Sequence, residues 1–171
     1  QTNTDYGYRT PATTALIGSD TYTKITTRPY FSLALKANGQ LYAAGINNYG
    51  QLGNGTYLPA KIFKPVLTDV QDMLAASNAS YALKTDGTLW AVGSVNGSSF
   101  YNNWQQILSD VSSIHTNVKG DKIWVIMSGT VYEKPWNSST WSTTTYTNIK
   151  QITASTKNVY ALKTDGSLYV D

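Results

Sequence analysis

Along residues 31–45, 80–93, 122–134 and 159–171, apolar side chains alternate with polar ones, and each run breaks once at a pair of turn-forming residues. The segments read FSLALKANGQLYAAG, SYALKTDGTLWAVG, KIWVIMSGTVYEK and VYALKTDGSLYVD. A period of two sends successive side chains to opposite faces, which is the pattern of a strand. The breaks fall at Asn38-Gly39, Asp86-Gly87, Ser128-Gly129 and Asp165-Gly166. Asn-Gly and Asp-Gly are strong hairpin signals, because a type I′ turn needs positive φ at both central residues and its twist matches the flanking strands. Four β-hairpins with type I′ turns are predicted.

A second apolar pattern precedes each hairpin, at Tyr22–Ile25, Asp69–Met73, Asp110–Ile114 and Asn148–Ile152. It predicts a further strand entering each unit, with Asp69 and Asp110 at equivalent strand-entry positions. The turn glycines recur 37 to 48 residues apart. A several-stranded unit of that period belongs to blades packed around an axis, and no amphipathic helical run of useful length competes with it. The expected fold is all-β, one propeller domain over residues 1–171. Its repeat units are approximately 20–67, 68–108, 109–147, and 148–171 completed by 1–19. Tyr6-Gly7 falls where Tyr49-Gly50 falls, so the two ends joined make one repeat, and a closed ring leaves no exposed sheet edge. Four blades are favoured; a segment of a longer propeller and an open array that closes by pairing with other copies are the alternatives.

The first hairpin runs on into GINNYGQLGNGT (45–56). Here the chain resembles the RCC1-like repeat family. The match is carried by Ala34, Leu35, Lys36, Asn38, Gly39, Leu41, Tyr42, Gly45, Asn47, Gly50, Gln51, Leu52, Gly53, Gly55 and Thr56. The second unit keeps the hairpin and loses the Gly-Gln-Leu-Gly half, the third keeps the apolar pattern and Gly129, and the fourth stops partway. The resemblance implies a propeller, usually of seven blades, that works through loops on one face. Such propellers include a guanine-nucleotide exchange factor and a secreted inhibitor of β-lactamases, and the matching positions here are scaffold positions only. Gly45, Gly50, Gly53 and Gly55 have a structural reading of their own, since a loop rich in Gly and Asn lets neighbouring blades approach closely.

Composition narrows the chemistry. Of the 171 residues only 13% are charged, against roughly 25% in an average soluble domain. There is no cysteine, one histidine (His115) and one glutamate (Glu133). Thiol catalysis, disulfides and Cys-ligated zinc are excluded, and no pair of acids is placed for acid–base work. No enzyme activity, cofactor or metal is expected. His115 reads as a surface or satisfied core residue. The 13 basic residues outnumber 10 acidic ones but never form a run of three, so nucleic acid is disfavoured as a partner. No apolar stretch approaches the ~20 residues of a membrane span. With Gln1 first and no basic-then-apolar leader, the chain reads as mature, trimmed or cut from something longer.

Lys36, Lys84 and Lys163 recur before the turns, with Ile126 in that place in the third unit, and are expected to be solvated. The candidate partner-binding residues are aromatics set among Ser, Thr and Asn where the family motif has been replaced: Tyr101 and Trp104 in NGSSFYNNWQQ, Trp136 and Trp141 in EKPWNSSTWSTTTY. Aromatics beside adaptable polar groups give contact area at low entropic cost; packing between blades is the competing role, above all for Trp104 and Trp136. The expected function is a binding or structural module that presents loops to a protein or glycan on a surface or within an assembly, extracellular or in a virion. The alternatives are a regulator or inhibitor that grips an enzyme through one face, a cytoplasmic location, and self-association.

Overall fold

The computed structural model describes residues 21–155 and 158–171. Every regular element among them is a strand, and the fifteen strands form four antiparallel sheets in chain order. The first holds β1 (Tyr22–Arg28), β2 (Phe31–Lys36), β3 (Leu41–Gly45) and β4 (Ala60–Leu67). The second holds β5 (Val70–Ala75), β6 (Ala79–Lys84), β7 (Leu89–Ser94) and β8 (Phe100–Leu108). The third holds β9 (Val111–Thr116), β10 (Lys122–Met127), β11 (Thr130–Pro135) and the short β12 (Ser142–Thr143). The fourth holds β13 (Ile149–Ala154), β14 (Val159–Lys163) and β15 (Leu168–Val170). Each is a meander of neighbouring strands, the blade geometry expected from the repeat. The completion of the last blade by residues 1–19, including Tyr6-Gly7, lies outside the described residues.

The hairpins form where predicted, but three of their turns differ from type I′. Gly39, Gly87 and Gly166 have φ near +80 to +90°, whereas Asn38, Asp86 and Asp165 are absent from the positive-φ residues. In the second blade Gly87 N donates to Lys84 O at 3.0 Å and Lys84 N to Thr88 O at 2.9 Å. This is a three-residue loop, a β-turn closed by a left-handed glycine that forms a bulge. The Asp or Asn earns its place through its side chain, which accepts the amide two residues on, Thr88 N to Asp86 Oδ1 at 2.9 Å and Ser167 N to Asp165 Oδ1 at 2.9 Å. Only Ser128-Gly129 is a two-residue turn with both φ values positive, 50° and 76°. That loop is one residue shorter, so the place of Lys84 opposite Val70 is taken in the third blade by Met127 opposite Val111, not by Ile126.

The core lies between blades. Leu33, Leu35 and Leu41 of the first pack with Val70 and Met73 of the second. Tyr81, Leu83 and Leu89 pack with Val111 and Ile114 of the third. Trp124, Ile126 and Val131 pack with Ile149 and Ile152 of the fourth. A backbone latch repeats at each junction: Val70 N donates to Gly39 O, Val111 N to Gly87 O and Ile149 N to Gly129 O, at 2.9 to 3.0 Å. The residue ahead of each donor, Asp69, Asp110 or Asn148, is left-handed at φ 58 to 63°. Asp and Asn tolerate that conformation better than most residues, which accounts for the strand-entry carboxylates. At the opposite end of the inner strands, Arg28 ties three blades together. Its guanidinium donates to Ala75 O at 2.9 Å, Val118 O at 2.8 Å and Asn117 O at 3.3 Å.

Candidate functional site

The segment after the first hairpin is held by one side chain. Asn47 is fully buried, and its amide nitrogen donates to Asn54 Oδ1, Thr56 O and Leu58 O while its oxygen accepts from Leu52 N at 2.9 Å. Gln51 is buried beside it: its side-chain oxygen takes Tyr49 N at 3.0 Å, and its carbonyl takes the Ser80 hydroxyl at 2.6 Å. Gly53 sits where a Cβ would fall 2.2 Å from Trp104 Nε1. The loop is a wedge between the first two blades, and its glycines leave room for the neighbour's ring.

That placement sorts the four candidate aromatics. Trp104 lies in β8 and is buried in the cluster between the first and second blades, its ring edge on Gly53. Trp136 is half-buried just after β11, its amide donating to Asp121 O at 2.9 Å. Tyr101 and Trp141 share a groove. The segment around Tyr101 forms the nine-residue strand β8 at the outer edge of the second sheet. Trp141 immediately precedes β12 of the third sheet.

The groove between those outer edges has a volume of about 330 Å³; its lining joins Tyr101 and Trp141 with the polar Asn96, Gln105, Gln106 and Ser139 and the apolar Val95 and Ile107, and Lys134 stands at its inner wall. Lys134 is buried in β11, and its ammonium donates to Val95 O at 2.6 Å and Ser138 O at 2.9 Å. The same nitrogen stands 5.7 Å from the ring centres of Tyr81 and of Trp141. Burial pushes its pKa down to about 8, so it still carries a proton at neutral pH. The sequence reading missed Lys134. Its signal is a charge in the third blade opposite Ile123, in the strand register where the second blade has the buried Val92.

The repeated lysines are not simply solvated: Lys36 stands 4.3 Å over the Tyr42 ring and Lys84 4.9 Å over the Trp90 ring. His115 Nε2 lies 3.0 Å from Ser113 Oγ, and burial lowers its pKa, against the partial opposition of Asp72, which pairs with Lys24. Among the described residues, no three His, Asp or Glu side chains are grouped to hold a metal.

Residues 29–51 match the regulator of chromosome condensation (RCC1) repeat. Human WBSCR16 superposes with a TM-score of 0.73 at 17% identity, over 91% of this chain and 48% of that one. Prp20p, the RCC1 of Saccharomyces cerevisiae, superposes at 0.71 and 14% identity, over 87% of this chain and 44% of that one. The chain carries one match to the RCC1 repeat and shares the propeller fold of these structures. It spans under half the length of these two neighbours. The computationally designed Ika4 protein matches over nearly its whole length, 92% of this chain and 94% of that one, with a TM-score of 0.55 at 12% identity. No curated protein matches the chain by sequence. In this fold the Gly-Gln-Leu-Gly wedge is packing machinery, and the groove lies between the second and third units, away from the matched repeat. Among the described residues no helix is long and apolar enough to cross a membrane.

Proposed function

We propose that this RCC1-type propeller is a non-enzymatic binding module and that the groove between its second and third blades receives a protein or glycan partner, outside the cell or in a virion. One observation carries the reading: two aromatic side chains from different blades, Tyr101 and Trp141, stand over one groove whose remaining lining mixes the amides of Asn96, Gln105 and Gln106 and the Ser139 hydroxyl with Val95, Ile107 and Lys134. An aromatic wall offers an apolar face to a sugar ring or a peptide side chain, and Asn96, Gln105 and Gln106 offer both donors and acceptors to its polar edges. Lys134 holds the third blade's loop to the second through Val95 and Ser138, so the two walls keep their spacing before a ligand arrives. RCC1-type neighbours support a protein partner in particular, since Prp20p is described by its binding to Gsp1p and histones.

The test compares the unaltered chain with Tyr101→Ala and Trp141→Ala on a glycan array and on whole bacterial cells. The expected result is saturable binding by the unaltered chain, weakened at least about tenfold in each variant, as for an aromatic hot spot, with a melting temperature moved by only a few degrees. Binding that persists in both variants overturns the assignment of the groove. A fall in melting temperature that accounts for the lost binding overturns it as well.

A further inference from the structure

Lys134 is the one charged side chain that is fully buried among the described residues, and no acid of those residues pairs with it. The lysines that do pair with acids are far more exposed: Lys24 with Asp72 and Lys122 with Glu133. The Lys134 ammonium has two carbonyls, Val95 O and Ser138 O, and two rings, those of Tyr81 and Trp141. Such dipoles offset part of what an ammonium loses on leaving water, but a buried charge ordinarily takes an opposite charge as well. Packing does not call for the charge, because the second blade fills the same register position with the buried Val92.

This uncompensated cation stands at the inner wall of the groove under Tyr101 and Trp141, and no acidic residue is in the groove's lining. An anion seated against Trp141 lies a few ångström from the ammonium, across protein that screens far less than water, so the two charges attract without touching. The rest of the lining favours a sugar over a peptide. Asn96, Gln105 and Gln106 each offer donors and an acceptor, which suits ring hydroxyls that both give and take hydrogen bonds. A peptide adding itself to the edge of β8 needs free backbone groups there. The carbonyls on either side of Tyr101 are already taken by the first blade: the Tyr57 hydroxyl donates to Phe100 O at 3.1 Å, and Gly55 N donates to Asn102 O at 2.9 Å.

We propose that the groove receives an acidic sugar, one that carries a carboxylate or a sulfate beside its ring hydroxyls, a choice of ligand that rests on the groove being the binding site. The Trp141 and Tyr101 rings form its apolar wall, and Lys134 supplies the counter-charge. The charge of Lys134 can be separated from its structural tie. A neutral amine keeps two N–H donors, enough for Val95 O and Ser138 O, so raising the pH removes the cation and leaves the walls of the groove joined.

An array of hexoses set beside the matching hexuronic acids and sulfated hexoses tests this, followed by calorimetric titration of the best acidic and neutral pair against the unaltered chain, Lys134→Met and Trp141→Ala. At neutral pH the acidic member is expected to bind at least about tenfold more tightly than its neutral match, and the array shows whether the carboxylate or the sulfate series supplies it. Lys134→Met brings the two affinities together. In the unaltered chain the acidic preference shrinks at least about fivefold between about pH 7 and about pH 9.5, as an ammonium of pKa about 8 gives up its proton, and the neutral sugar shows no such drop; this readout stands whether or not Lys134→Met folds. Acidic and neutral sugars bound equally, and both lost in Trp141→Ala, overturn the acidic ligand and leave the groove as the binding site. An acidic preference unchanged in Trp141→Ala puts the ligand elsewhere and overturns both. Tighter binding of a polyglutamate peptide than of every sugar overturns the acidic sugar, and so does an array on which no sugar binds.

Discussion

At the scale of single residues, the Gly-Gln-Leu-Gly loop depends on Asn47, which satisfies four polar groups from one buried amide. Asn47→Ala leaves Leu52 N and two loop carbonyls without that partner, and a buried group left unpaired costs about 1 to 3 kcal/mol. The expected loss is at least about 2 kcal/mol, checked by urea unfolding. Glycine positions separate in the same assay. Gly53→Ala meets both a left-handed backbone, φ 66°, and the Trp104 ring, whereas Gly166→Ala meets a left-handed backbone, φ 87°, in open space. The first substitution should cost clearly more than the second; equal losses would mean that the ring gives way freely. Every residue in this contrast was visible in the sequence as a motif glycine or a turn glycine. Which of them faces a neighbour was not, because the Trp104 contact crosses from one blade to another.

At the scale of elements, hairpin positions were legible from alternation and turn pairs, while the geometry of three turns was not. A loop of two residues and one of three differ by a single residue of register, and that is decided by which ladder pairs form around it. The outermost strands β4, β8 and β12 were also missed: β4 carries Pro65 and exposed residues, and β8 mixes aromatics with amides, so neither shows clean alternation. The one two-residue turn makes a prediction. Ser128 adopts φ 50°, which Asn accommodates better, so Ser128→Asn should raise stability by about 0.5 kcal/mol in thermal melts. Groove and strand meet at Lys134. Its pKa of about 8 in the folded chain lies below the ordinary lysine value. Between about pH 8 and pH 10 the unfolded chain therefore binds more protons, and stability rises with pH. Above about pH 10 the rise reverses, because burial holds the Tyr81 hydroxyl, and burial with the Asp171 contact holds that of Tyr146, protonated in the fold while unfolded tyrosines ionise. Melting temperature across pH 7.5 to 9.5 should climb in the unaltered chain and stay flat in Lys134→Met.

At the scale of the whole molecule, the repeat was readable from the glycine spacing and the recurring strand-entry pattern, which is why fold class and chain order of the sheets could be predicted. The candidate groove was half readable. Tyr101 and Trp141 stood out as aromatics among polar residues, yet their convergence depends on the second and third blades lying side by side, and Trp104 looks the same in sequence while facing inward. Arg28 is legible only in three dimensions, since its carbonyl partners lie in two other blades. Removing it should therefore loosen the array as a unit: Arg28→Ala is expected to speed amide hydrogen exchange at the end of β5 around Ala75 and in the loop at Val118 together, and a change confined to the first blade would count against that role. The junction latch, finally, is made by a glycine carbonyl and a backbone amide, so it reads no side chain at either partner. A unit joined this way can be duplicated, exchanged or allowed to drift without a matching change next door, which accounts for a third unit that has lost nearly all of the repeat motif and still holds its place in the row.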